Sequence, residues 1–244
     1  MFRFICIAIF LILYLILSIP IFLVEWIIGK FNRNLRDYSS LRFVQWAFRV
    51  IIKMAGIDMT IIGEENVPDE PVLFIGNHRS FFDVVITYSR CKRLTGYIAK
   101  KEMEHIPLLS VWMRYLYCLF LNRDNPKEGL KTILQAIDYI KRGVSVCIFP
   151  EGTRSKGEEP TMLPFKDGAF KIATKTNCAI VPISLNNTYT IFEKQFPRIK
   201  KTHVVIEYGK PIYPNELDPE DKKHIGSYVH NIIMETLQKN IHLV

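Results

Sequence analysis

The sequence predicts an α/β fold: a largely parallel or mixed sheet flanked by helices, preceded by an N-terminal membrane-docking two-helix segment. Three observations carry that expectation. From residue 58 onward, short apolar runs closed by Gly, Asn or Pro alternate with stretches whose apolar residues recur at helical spacing. Such alternation builds strands joined by crossover helices. Four polar clusters fall where strands should end: Asn77-His78, Lys100-Lys101, Asn122-Arg123 and Glu151-Gly152-Thr153-Arg154. Ligands of such sheets collect at the carboxyl ends of strands, so the four clusters point to one site. Upstream, residues 4–24 carry no charge at all. The expected division is therefore 1–57 as a membrane-associated helical segment and 58–244 as the α/β domain.

In chain order, residues 4–24 would span roughly 30 Å as a helix, the hydrocarbon thickness of a bilayer. A signal peptide is a poor match, because the apolar run is too long and no small-x-small cleavage site follows. Pro20 and Glu25 leave open whether the segment crosses the bilayer or lies in one leaflet. Lys30, Arg33 and Arg36 follow, then a second helical pattern over 41–57. Its polar positions Arg42, Gln45, Arg49 and Lys53 form one stripe among aromatic and aliphatic residues, the pattern of a basic amphipathic helix in an anionic interface. The positive-inside rule places this side at the cell membrane's cytoplasmic face.

The body reads as strands over 59–62, 72–75, 94–99, 117–121, 144–149, 179–185 and 204–208. Helices are expected over 80–89, 107–115, 126–142 and 166–176, and a last amphipathic one opens at Asp218-Pro219. A net charge of +8 on 244 residues favours an anionic partner, either nucleic acid or a phosphate-bearing membrane surface. With the N-terminal segment, the membrane is preferred and no nucleic acid is expected. The five cysteines are scattered without CxxC spacing. That excludes a disulfide framework and a zinc ribbon, and suits a reducing compartment.

The chemistry centres on residues 74–83. An apolar strand breaks at Gly76-Asn77, and Ser80 with Asp83 three residues later reads as a helix start. Inside one helix, His78 and Asp83 would point about 140° apart. With His78 on the turn before the helix, the carboxylate can reach the imidazole, fix its tautomer and leave the other nitrogen basic. Asp83 could equally be no more than the acidic member of a capping box. Downstream, Pro150 and Gly152 make a tight turn whose backbone N–H groups suit an anion, and Arg154 adds a bidentate donor. Glu151 could pair with Arg154. One imidazole and two carboxylates make a weak zinc signature, so no metal is expected.

These blocks resemble the 1-acyl-sn-glycerol-3-phosphate (lysophosphatidate) acyltransferases of the glycerolipid acyltransferase family. Asn77-His78-x4-Asp83 is similar to the catalytic block. Phe120-Leu121-Asn122-Arg123 resembles the second, although Tyr117 stands where many members have glycine. Phe149 to Ser155 resembles the third and Val181-Pro182-Ile183 the fourth. The resemblance implies acyl transfer from a thioester to the sn-2 hydroxyl of a lysophosphatidate, giving phosphatidic acid. His78 would be the general base and Asp83 its orienting partner. Lys100, Arg123, Glu151, Gly152, Thr153 and Arg154 would hold substrate, with Lys101 and Lys166 as weaker candidates. No cofactor is implied, and acyl-CoA or acyl carrier protein serves as co-substrate. Another lysophospholipid or glycerol-3-phosphate could be the acceptor. A membrane-bound serine-type lipid hydrolase using Ser80 is the rival from another class.

Overall fold

A computed structural model describes residues 1–244. Its strands are β1 (Ile57–Ile62), β2 (Leu73–Gly76), β3 (Thr95–Lys100), β4 (Leu119–Leu121), β5 (Ser145–Ile148), β6 (Ile180–Asn186) and β7 (Thr202–Tyr208). They form one seven-stranded sheet in the order β1-β7-β6-β2-β5-β3-β4. The run from β6 to β4 is parallel, β7 lies antiparallel to β6, and β1 is parallel to β7. The sheet is therefore mixed.

The helices are α1 (Phe2–Phe31), α2 (Arg33–Ala55), α3 (Phe81–Ser89), α4 (Leu109–Tyr115), α5 (Pro126–Lys141), α6 (Lys171–Thr176), α7 (Pro219–Lys223) and α8 (Ile225–Asn240). Strand alternation sends successive side chains to opposite faces. Val72 and Phe74 join a core with α1 to α4, while Leu73 and Ile75 join a second core with α5, α6 and α8. Two helical layers thus cover the sheet, and β2 is buried on both faces, which explains its continuous apolar run.

Several elements differ from expectation. The second helix begins at Arg33, not 41, because the Asn32 side chain accepts the Leu35 N–H and caps it. Gln45 does not belong to an exposed stripe. It is buried, and its amide donates to the carbonyls of Tyr88 and Cys91. The open stripe is Arg42, Trp46, Arg49 and Lys53. Strand β4 starts two residues later than predicted, since Tyr117 has φ 60, a left-handed backbone that cannot pair in a ladder. The 166–176 helix opens as a tighter turn over Asp167–Phe170. Asp218-Pro219 starts only the short α7, and the apolar stripe belongs to α8.

Helix α1 is long and apolar enough to cross a membrane by length and composition. Pro20 lies inside it without ending it. It packs against α2 and the body from end to end: Phe4 stacks on Phe192 at 5.7 Å, and Phe22 meets Trp112 at 4.8 Å. Its inner stripe is Ile7, Tyr14, Ser18 and Glu25. Glu25 is turned inward to accept the Ser39 hydroxyl, and Ser18 accepts the Trp112 indole N–H. The opposite face, from Phe2 through Leu17 to Phe31, is exposed and apolar. The cysteines are all free, and burial pushes the thiols of Cys91 and Cys118 up to about 11, which leaves them inert at neutral pH.

Candidate active site

Asn77 anchors the turn after β2. Its buried amide donates to the Leu185 carbonyl at 3.0 Å and its oxygen accepts the Leu185 N–H at 2.8 Å. A side chain thereby extends the β2–β6 ladder past the strand and fixes His78 at the sheet's carboxyl edge.

Ser80 then caps α3, accepting the Phe82 N–H, while Asp83 reaches back to the Ser80 N–H at 2.7 Å. The same oxygen of Asp83 accepts the Arg79 N–H at 2.7 Å and His78 Nδ1 at 2.9 Å. The capping box and the His-Asp pair are one structure rather than alternatives. Asp83 is fully buried, and the His78 side chain keeps 19% of its surface open. With Asp83 as the acceptor, the ring proton sits on Nδ1, and Nε2 has no protein partner. The Phe149 ring lies against the imidazole at 4.5 Å and 17°. Gly76 permits this, because a Cβ there would stand 3.1 Å from that ring.

Glu151 does something the sequence did not suggest. It is 4% exposed, and its two oxygens accept the N–H of His78 at 2.6 Å and of Leu163 at 2.8 Å. It therefore does not pair with Arg154; it braces the histidine turn. Burial raises its pKa above the ordinary carboxylate value, against the pull of those donors. The Ser155 N–H donates to the His78 carbonyl at 2.8 Å, closing the loop onto the turn.

Gly152 has φ 73 and donates to the Phe149 carbonyl, and Lys166 Nζ would lie 3.0 Å from a Cβ at this position. Thr153 is exposed and makes no side-chain hydrogen bond. The Arg154 guanidinium stacks over Phe81 at 3.9 Å and bonds Glu193 at 2.9 Å. Glu193 also accepts the Ser80 hydroxyl at 2.6 Å and the Phe81 N–H at 2.8 Å. Sequence reasoning missed Glu193, and no local signal marks it, since its partners are 39 to 113 residues away. Arg79, also missed, is 2% exposed and donates to the carbonyls of Thr161 and Gly157.

The Ser80 hydroxyl is held by Glu193 and makes no bond to His78, so the nucleophile–base pair of a serine hydrolase is absent. The backbone N–H groups of residues 78–82 are all committed within the protein. Those of Thr153 and Arg154 have no acceptor.

Lys100 and Arg123 form a second group on the same edge. Lys100 closes β3 and pairs with Glu102 at 2.7 Å; the Glu102 carboxyl is held below its ordinary range by Lys100 first and by Arg123 to a smaller extent. Strands β3 and β4 are two and three places from β2, roughly 10 and 14 Å at ordinary strand spacing. Lys101 is tied to Glu104 at 2.7 Å. The structure thus joins His78, Asp83, Glu151, Gly152 and Arg154, and sets Lys100 and Arg123 apart.

A family model described as "Acyltransferase" matches residues 58–186. The chain is 30% identical over 193 residues to a 1-acyl-sn-glycerol-3-phosphate acyltransferase of Saccharomyces cerevisiae, covering 79% of this chain and 64% of that protein. A Borreliella burgdorferi protein of the same description is 28% identical over 200 residues, covering 82% and 79%. The chain thus spans slightly less than two thirds of the yeast relative's length. In fold it is similar to the crystal structure of the 1-acyl-sn-glycerophosphate (LPA) acyltransferase PlsC from Thermotoga maritima, with TM-score 0.74 at 24% identity over 97% of each chain.

Proposed function

This chain belongs to the acyltransferase family, and from that premise we propose that it moves an acyl chain from a thioester to the sn-2 hydroxyl of a 1-acyl-glycerol-3-phosphate, giving phosphatidic acid. The observation that carries the reading is the Asp83 oxygen shared by the α3 cap and His78 Nδ1, which leaves Nε2 basic and unbonded. Nε2 takes the hydroxyl proton as the acceptor oxygen attacks the thioester carbonyl. Asp83 stabilises the imidazolium without taking the proton. Collapse of the tetrahedral intermediate breaks the C–S bond, and the imidazolium returns its proton to the departing thiolate. The products are an ester and a free thiol.

The oxyanion is served by the uncommitted amides of Thr153 and Arg154, since the histidine turn has none to spare. Arg154 holds the acceptor's phosphate, helped by Lys166 above Gly152. Glu193 occupies the donors that this phosphate would use. Lys100 and Arg123 are too far along the edge to share the same phosphate. They are assigned to the donor's anionic carrier, acyl-CoA or acyl carrier protein. Helices α1 and α2 lie in the plane of one leaflet, because α1 touches the body at both ends and exposes only its outer face. The cationic residues of α2 set the domain on the cytoplasmic side.

The test is incubation of the purified chain with radiolabelled lysophosphatidate and acyl-CoA or acyl carrier protein thioesters, followed by lipid identification. Phosphatidic acid should form, and should not form with His78→Ala. Equal turnover of glycerol-3-phosphate or a choline lysophospholipid would move the acceptor assignment.

A further inference from the structure

A cavity of about 380 Å³ opens at the other edge of the sheet. Tyr117, which precedes β4, and Arg142, which precedes β5, lie on its wall. Those strands run parallel to β2, whose far end carries His78. The cavity and the catalytic crevice are therefore separated by at least a four-residue strand, about 13 Å.

Five cations line it: Lys30, Arg33, Arg36, Arg114 and Arg142. Asp37 is already shared between Arg36 and the Tyr117 hydroxyl. Arg114 and Arg142 reach Glu104 and Asp138 only at 3.3 Å in half-exposed pairs. Lys30 has only the Trp26 ring beneath it, and Arg33 has no ion-pair partner. Compensation of helix dipoles accounts for Lys30, Arg114 and Arg142, which stand at helix carboxyl ends. It does not account for Arg33, which stands in the first turn of α2, where cations are disfavoured; Arg36, in the same turn, is held by Asp37.

Tyr117 supplies an independent sign. Its φ of 60 is a conformation that glycine adopts freely and a bulky residue adopts at a cost. That strain puts an aromatic ring in the cavity wall, edge-on to Tyr139 at 5.2 Å. Burial and the Asp37 carboxylate push its hydroxyl up to about 12, so at neutral pH its proton stays in the bond it donates to Asp37. The rim carries Trp26, 54% exposed, and near it in sequence lie Phe31 and Leu35 of the apolar outer face of α1 and α2. A soluble anion needs no such rim; a lipid does.

We propose that this cavity binds the phosphate headgroup of an anionic membrane phospholipid, at a second site distinct from the catalytic one. The inference rests on the in-plane docking of α1 and α2, and the test separates the two. Flotation is measured with neutral phosphatidylcholine vesicles and with vesicles containing phosphatidate. Binding of every variant to the neutral vesicles reports docking alone.

Diffuse attraction would cost about five-fold per lost charge wherever the charge sits. A built site makes Arg33→Ala cost about ten-fold or more on phosphatidate vesicles, while Lys53→Ala, at the far end of α2, costs only the diffuse amount. Tyr117→Gly, which suits the backbone and removes no charge, should also lose most of the preference for phosphatidate vesicles and keep acyl transfer in detergent. Tyr117→Phe should lose less. Equal costs for Arg33→Ala and Lys53→Ala, or an unchanged preference in Tyr117→Gly, would overturn the proposal. Displacement from the vesicles by inorganic phosphate at its ordinary concentrations would assign the cavity to free phosphate instead, and overturn the lipid assignment.

Discussion

The Arg154 guanidinium is bonded to Glu193 at 2.9 Å, and the same carboxylate gathers the Ser80 hydroxyl and the Phe81 N–H. A carboxylate therefore sits where three donors converge, beside the first turn of the helix that carries Asp83. Phe192, next to Glu193, stacks on Phe4 of α1. The proposed phosphate subsite and the N-terminal segment thus meet through two adjacent residues.

Arg154→Ala should raise KM for the phosphorylated acceptor roughly ten- to hundred-fold, the worth of a charge-assisted pair, with KM for the acyl donor unchanged. Glu193→Gln removes the competing charge and should lower the acceptor KM by a few fold. Steady-state kinetics with each substrate varied separately decides this. A rise in KM in Glu193→Gln would make Glu193 a positioning group for Arg154.

His78→Ala should reduce kcat by about 10²–10⁴ without changing vesicle binding. Asp83→Asn should lower kcat and also destabilise the fold by about 0.5–2 kcal/mol, because the same oxygen caps α3. Kinetics paired with denaturant unfolding tests the shared role. Loss of activity at unchanged stability would separate the cap from the catalytic pair.

Glu151 carries a pH signature. Its folded pKa lies above the ordinary value, chiefly through burial, so between the unfolded value near about 4.3 and the raised folded value the native state holds more proton than the unfolded chain. Stability contributed by this group is complete below that window and is lost as pH rises through it. Glu151→Gln should lack this decline in chemical denaturation across acid pH. The variant should also lose roughly ten-fold in kcat, since a single amide oxygen cannot accept from both His78 and Leu163.

Leu17 is 63% exposed on the outer face of α1. Leu17→Glu should weaken vesicle binding by at least about ten-fold, the worth of burying one such side chain, and leave the fold intact by circular dichroism. Vesicle binding unchanged in this variant would remove α1 from the bilayer.

Local pattern alone determined much of this protein. Strands and helices alternate as the apolar spacing requires, His78 falls on a strand-to-helix turn, and Ser80 and Asp83 open α3, because these features depend on hydrogen bonds between residues a few positions apart. Tertiary structure decided which groups meet across long separations. Glu151 braces the His78 N–H instead of Arg154, Gln45 turns inward to the end of α3, and Glu193 arrives from a stretch with no periodicity. The same holds for the cavity, where the ends of α4 and α5 bring Arg114 and Arg142 to the Lys30, Arg33 and Arg36 group at the junction of α1 and α2. Spacing in a sequence reports one element's faces, whereas the partner of a face is set by how the crossovers stack those elements on the sheet.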